Sequence, residues 1–168
     1  MIYIGIDPGA SGAVAVLFSA PPPGRQPQVF PLSQTEAEIA DLFRAWGYHT
    51  SPDEGVFAVI EKVHAFPKQG VSSTFKFGMS YGFLRACLAC FRIPFVDCAP
   101  RVWQKDMRCS CGGDKRITRE RAQELYPELK PTNRTADALL IATWARTFSI
   151  RKESKRDLPR AARASEPA

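Results

Sequence analysis

The sequence predicts an α/β domain built on a mixed sheet, and three observations carry that prediction. Ile2, Ile4 and Ile6 alternate along an apolar opening stretch, which is the period of a strand. A second apolar run, Ala13 to Phe18, follows at once after Pro8-Gly9 and Ser11-Gly12, residues that accept the backbone angles of a tight turn. Val56 to Ile60 is a continuous apolar run, as in a strand covered on both faces, and apolar residues at helical spacing lie between and after these strands.

Taken in order, the first two runs form a hairpin, with Asp7 at the mouth of its first strand. Pro21 to Gly24 is a break, and Gln28 to Leu32 reads as a third strand. Ser33 or Thr35 caps the next helix, because Glu36 and Glu38 stand in its first turn. Its apolar positions are Ile39, Leu42, Phe43 and Trp46. A loop, Tyr48 to Gly55, leads to the central strand, which ends in Glu61. This repeats the arrangement at Asp7. Two such strands side by side place both carboxylates at one edge of the sheet.

Lys62 to Gly70 is a loop holding His64, Lys68 and Gln69, and a long helix runs from about Val71 to Phe91. On that helix Gly78, Gly82, Ala86 and Cys90 recur every four residues, flanked by Phe75, Met79 and Phe83. Such a stripe either packs on the sheet or admits a second copy of the chain. Phe91 to Asp97 reads as a strand, and Pro100 to Met107 as a short helix or turn with Trp103. Cys109 to Asp114 is a loop, and Lys115 to Tyr126 is a helix stopped by Pro127. Lys130 to Thr135 is a polar linker before the last helix, which runs to about Ile150. The expected organisation is one domain, 1–150, and a basic, disordered tail, 151–168.

At 168 residues and 45% hydrophobic content the chain suits a single domain with a real core. It contains no run of 18 apolar residues and no basic-then-apolar leader, so it reads as intracellular, in the cytoplasm or an organelle, without a membrane role. The net charge of +6 favours polyanions. It is concentrated, with seven basic and three acidic residues from Arg101 to Arg121, and six and three from Arg151 to the end. The five cysteines are an odd number at spacings that fit no common zinc site, so they read as free thiols.

Asp137 is a third acid of interest, set in the otherwise apolar run Ala136 to Trp144. An unpaired acid on an apolar face is costly. Asp7 either hydrogen-bonds its own turn or joins Glu61 and Asp137 around a cation. Three converging carboxylates repel one another unless a divalent ion neutralises them, and Mg²⁺ suits oxygen donors. A two-ion site would activate water and stabilise the oxygen leaving phosphorus.

The stretches IGIDPGASG, VIEKVHAF, FKFGMSYGFLRAC and ADALLIATWA occur in that order. Together they resemble the RuvC family of Holliday junction resolvases, with a flavour of its phage and chloroplast members, over roughly residues 1 to 148. The resemblance implies a ribonuclease H-like fold, with a five-stranded mixed sheet and helices on both faces. It implies a homodimer that nicks a four-way DNA junction symmetrically with Mg²⁺ or Mn²⁺, two ions per site, and no nucleotide cofactor. By position it makes Asp7, Glu61 and Asp137 catalytic metal ligands and puts Lys115 near the scissile phosphate. Phe75 and Lys76 fall where the family contacts the junction, although Phe75 reads equally well as core. Lys68, Arg101, Lys105, Arg116 and Arg134 are further candidate DNA contacts.

One departure stands out. The family carries an Asp or His one helical turn before its last acid, and this chain reads Thr132-Asn133-Arg134-Thr135. Asn133 offers a neutral oxygen as a fourth ligand, whereas Arg134 cannot ligate a metal but can hold a phosphate. The competing reading is therefore a non-catalytic junction- or DNA-binding protein of the same fold. The first turn also resembles the phosphate loop of actin-type and sugar-kinase ATPases, whose two lobes need a much longer chain.

Overall fold

A computed structural model describes residues 1–9, 11–19, 26–48, 55–62 and 70–157, with side chains for all of these except Tyr48 and 150–157. Five strands are formed: β1 Ile2–Asp7, β2 Ala13–Phe18, β3 Gln28–Pro31, β4 Val56–Glu61 and β5 Phe95–Cys98. The helices are α1 Glu36–Tyr48, α2 Val71–Cys90, α3 Pro100–Asp106, α4 Lys115–Leu125 and α5 Ala136–Asp157, with a short 3₁₀ turn at Pro127–Leu129.

The sheet order is β3-β2-β1-β4-β5. The hairpin β1–β2 and the pair β2–β3 are antiparallel, while β1–β4 and β4–β5 are parallel. Ile6 lies opposite Ile60 in the parallel pair, so the next residues, Asp7 and Glu61, finish their strands at the same edge. Strand alternation sorts the core into two layers. Ile2, Ile4, Ile6, Val14 and Val16 face α1 and α2, against Ile39, Phe43, Trp46, Leu84 and Leu88. Tyr3, Ala13, Ala15, Leu17 and Val59 face the other way, against Leu139, Ile141, Trp144 and Trp103 of α5 and α3. Helices thus cover both faces, and each fully buried aliphatic side chain contributes about 1.5–3 kcal/mol.

The helix α5 lies directly on β1. A Cβ on Gly5 would fall 2.1 Å from the Ala142 backbone nitrogen and 2.4 Å from the Ala138 carbonyl oxygen. Only glycine permits that approach, and it brings the first turn of α5 over the end of β1. Residues 136–145 are all buried, Asp137 among them.

Several boundaries differ from expectation. Thr35, not Ser33, caps α1, through reciprocal bonds with Glu38. The fifth strand begins at Phe95 rather than Phe91, because α2 ends in a turn with Arg92 at φ 54° and Pro94 has no N–H to pair. The last helix continues to Asp157, seven residues past its expected end, so the tail is helical at its start; 158–168 lie outside the described residues. The small-residue stripe of α2 does not pack on the sheet. Gly78, Gly82, Ala86 and Cys90 are all exposed, with open space beyond both glycines, and Leu84, Cys87 and Leu88 form the buried face instead. All five cysteines are free, and among the described residues no helix is long and apolar enough to cross a membrane.

Candidate active site

Asp7, Glu61 and Asp137 come together. The parallel pairing of β1 and β4 aligns the first two, and the close seating of α5 on Gly5 brings the third. Lys115, the first residue of α4, completes the group. Its Nζ stands 2.8 Å from Asp137 Oδ2 and 3.6 Å from Asp7 Oδ2. Asp114 holds it there by capping α4, its carboxylate accepting the Arg116 backbone N–H at 3.0 Å.

Burial sets the electrostatics. It pushes the Asp7 carboxyl up to about 6; Lys115 pulls it down and Asp137 adds to the rise. Burial, and then the charge of Asp7, lift Glu61 to about 7, against the pull of the Trp103 indole. Trp103 Nε1 donates to Glu61 Oε2 at 2.8 Å. For Lys115, burial works against the ammonium, but Asp7 and Asp137 outweigh it, and its pKa is held above the ordinary value. The second oxygen of Asp137, Oδ1, is buried and has no hydrogen-bond partner among the described residues. A buried carboxylate oxygen without a donor is an expensive arrangement.

These groups open into a cavity of about 400 Å³, lined by Asp7, Glu61, Lys115, Arg134, Phe77 and the turn residues Pro8, Gly9, Ser11 and Gly12. The turn is tied to α2 by the Gly9 N–H, which donates to Ser80 Oγ at 3.2 Å. Gly9 has φ 118°, which a side chain would strain. Among the described residues no three or more His, Cys, Asp or Glu side chains are grouped as around a bound ion. An ammonium stands between Asp7 and Asp137 in its place. The chemistry nevertheless suits a hard divalent cation, with three carboxylates, an orphaned Oδ1, and a Lys already drawn in as counter-charge.

The other predicted positions divide. Arg134 lines the cavity, while Asn133 is exposed and is not part of its lining. Phe75 is 68% exposed, so it is not core; with Val71 and Met79 it forms an outward apolar row along α2. Lys76 faces a second recess, of about 220 Å³, that it shares with Glu36, Met79 and Phe83. Arg101 and Lys105 are exposed on α3, and Arg116 is paired with Asp114. Arg121 is tied to the Met107 carbonyl and Glu124, a structural use. Lys68 lies outside the described residues. Sequence reasoning missed Phe77, Ser80 and the indole donor to Glu61; a Trp five residues past β5 was the only signal for the last of these.

No protein-family profile matches the chain, and no curated protein does. Solved structures do. Thermus thermophilus RuvC superposes with a TM-score of 0.59 at 16% identity, covering 91% of this chain and 97% of that one. The fold is that of RuvC. A second structure, T. thermophilus RuvC in complex with a Holliday junction substrate, gives a TM-score of 0.57 at 16% identity, covering 90% and 96%. The mixed five-stranded sheet with helices on both faces is therefore the RuvC, ribonuclease H-like architecture that the sequence resemblance implied.

Proposed function

We propose that this chain is a structure-selective endonuclease that resolves four-way DNA junctions by divalent-metal-dependent hydrolysis, acting as a homodimer that makes paired, symmetric nicks. The observation that carries the reading is that Asp7 and Glu61 line one cavity together with Lys115, whose ammonium pairs with Asp7 and with the buried Asp137. The RuvC fold supports it, and the RuvC protein of T. thermophilus has been seen with a Holliday junction.

Asp7, Glu61 and Asp137 would hold Mg²⁺ or Mn²⁺, which supplies Lewis acidity at phosphorus and a more acidic water. The protein's own part is positioning and charge. Trp103 fixes one oxygen of Glu61, so its carboxylate cannot turn away from the cavity. Lys115 brings a positive charge to where negative charge grows on the phosphoryl oxygens, and there it is worth most in the transition state. The exposed row Val71, Phe75 and Met79 offers apolar and aromatic surface to unstacked bases at the crossover. The basic residues Lys76, Arg101, Lys105 and Arg116 give sequence-independent phosphate affinity, consistent with the net charge of +6. The outward stripe of α2 supports close approach of a second copy.

The non-catalytic reading keeps one observation in its favour, the ion pairs by which Lys115 already neutralises Asp7 and Asp137. A synthetic four-way junction incubated with the protein and Mg²⁺ decides between the two. Paired nicks at symmetric positions, absent with EDTA, establish the nuclease. Junction binding without any cleavage in Mg²⁺ or Mn²⁺ establishes the binding protein.

A further inference from the structure

Two carboxylates, Asp7 and Glu61, and two cations, Lys115 and Arg134, line this cavity, and a third carboxylate, the buried Asp137, is paired to Lys115. The cations are not equivalent. Lys115 is engaged with Asp7 and Asp137. Arg134 lines the cavity but, among the described residues, its guanidinium makes no ion pair. Its backbone is held, since its N–H donates to Thr132 Oγ1, and Thr135 closes the same turn on Thr132. Among the described residues the cavity lining includes no carboxylate besides Asp7 and Glu61; Asp137 is buried and paired to Lys115, and Asn133 is exposed.

The charges leave room for little more. With all three acids ionised the group carries one net negative charge. One divalent ion makes it one positive, which the single negative charge of a phosphodiester balances. A second divalent ion would leave two positive charges uncompensated in a partly desolvated site, at a cost that no described residue of the cavity offsets. A planar guanidinium, by contrast, matches two phosphate oxygens with paired N–H donors.

We infer that the site takes one divalent cation per chain, and that Arg134 grips the non-bridging oxygens of the scissile phosphate in place of a second ion. Arg134 is then a catalytic residue in its own right, and the two-ion expectation does not hold for this donor set. The inference rests on the nuclease reading of the cavity.

The test counts ions directly. Mn²⁺ bound to the full chain is measured by loss of the free-ion paramagnetic resonance signal, alone and with saturating four-way junction, after subtraction of ions held by junction alone. Wild type should bind one ion per chain in both conditions. Arg134→Ala should still bind one, yet cleave the junction about tenfold or more slowly, while Arg134→Lys recovers part of the rate. Arg134→Asp, which adds a fourth carboxylate, should raise the count towards two. Two ions on wild type, wild-type cleavage by Arg134→Ala, or an unchanged count in Arg134→Asp would each overturn the assignment. Two ions on wild type together with normal junction cleavage removes the one-ion assignment and leaves the nuclease reading standing. No bound Mn²⁺ and no cleavage by wild type removes the nuclease reading as well.

Discussion

At the scale of single residues, Asp7 and Glu61 carry a cost that the folded chain bears for its site. Both hold their protons to higher pH when folded than when unfolded, from ordinary values of 3.8 and 4.5 up to about 6 and about 7. In that window the metal-free folded state binds more protons at these two groups, so their contribution to stability is fully present below pH 4 and is lost as pH rises towards 7. For Asp7 the loss is roughly 2–3 kcal/mol. Thermal melts in EDTA at pH 5 and pH 8 should show wild type losing Tm with pH and Asp7→Asn losing clearly less. Equal losses would mean that Asp7 is not desolvated. In function, Asp7→Asn, Glu61→Gln and Asp137→Asn should each abolish junction cleavage and leave gel-shift affinity near wild type, because backbone phosphates supply most of the binding. Any one that cleaves normally leaves the site. Lys115→Ala should lower the cleavage rate far more than the affinity. Rate and affinity falling together would reduce Lys115 to one more phosphate contact.

At the scale of elements, the site depends on how α5 sits on β1. Asp137 reaches the strand edge because the helix backbone touches Gly5 with no side chain between them. Gly5→Ala forces a methyl to within 2.1 Å of a backbone atom that cannot move without shifting α5. The expected cost is about 3 kcal/mol, a Tm loss of roughly 10 °C. Activity should fall further than the unfolded fraction explains, since Asp137 moves with the helix. A folded, fully active Gly5→Ala would show that the approach is looser than drawn. The α4 N-terminus acts similarly, with its Asp114 cap setting the reach of Lys115.

At the scale of the whole molecule, the outer face of α2 stands exposed, and it holds the three most exposed large apolar side chains among the described residues. Its small residues are exposed, and its apolar row Val71, Phe75 and Met79 points outward from the same helix. Exposed apolar surface of this kind marks an interaction site. Light scattering should therefore give twice the chain mass of 18.7 kDa. Gly82→Glu, introduced where open space lies beyond the Cα, should return a folded monomer that binds junction less tightly and loses paired nicking. If wild type remains at 18.7 kDa both free and on the junction, the homodimer is refuted.

The three acids were legible in the chain because a carboxylate that ends a β-branched run, or interrupts an apolar helix, violates the local pattern around it. The hairpin, the buried central strand and the helix periods were legible for the same reason, since alternation and 3.6-residue spacing are properties of neighbouring residues. Which partner each face meets is not. That Lys115 bridges Asp7 and Asp137, that Trp103 donates to Glu61, and that Arg134 rather than Asn133 lines the cavity all depend on contacts between segments far apart in sequence. The stripe on α2 makes the point most plainly. Its four-residue spacing shows that these residues share a face, but only the docking of Leu84, Cys87 and Leu88 against the sheet turned that face to solvent.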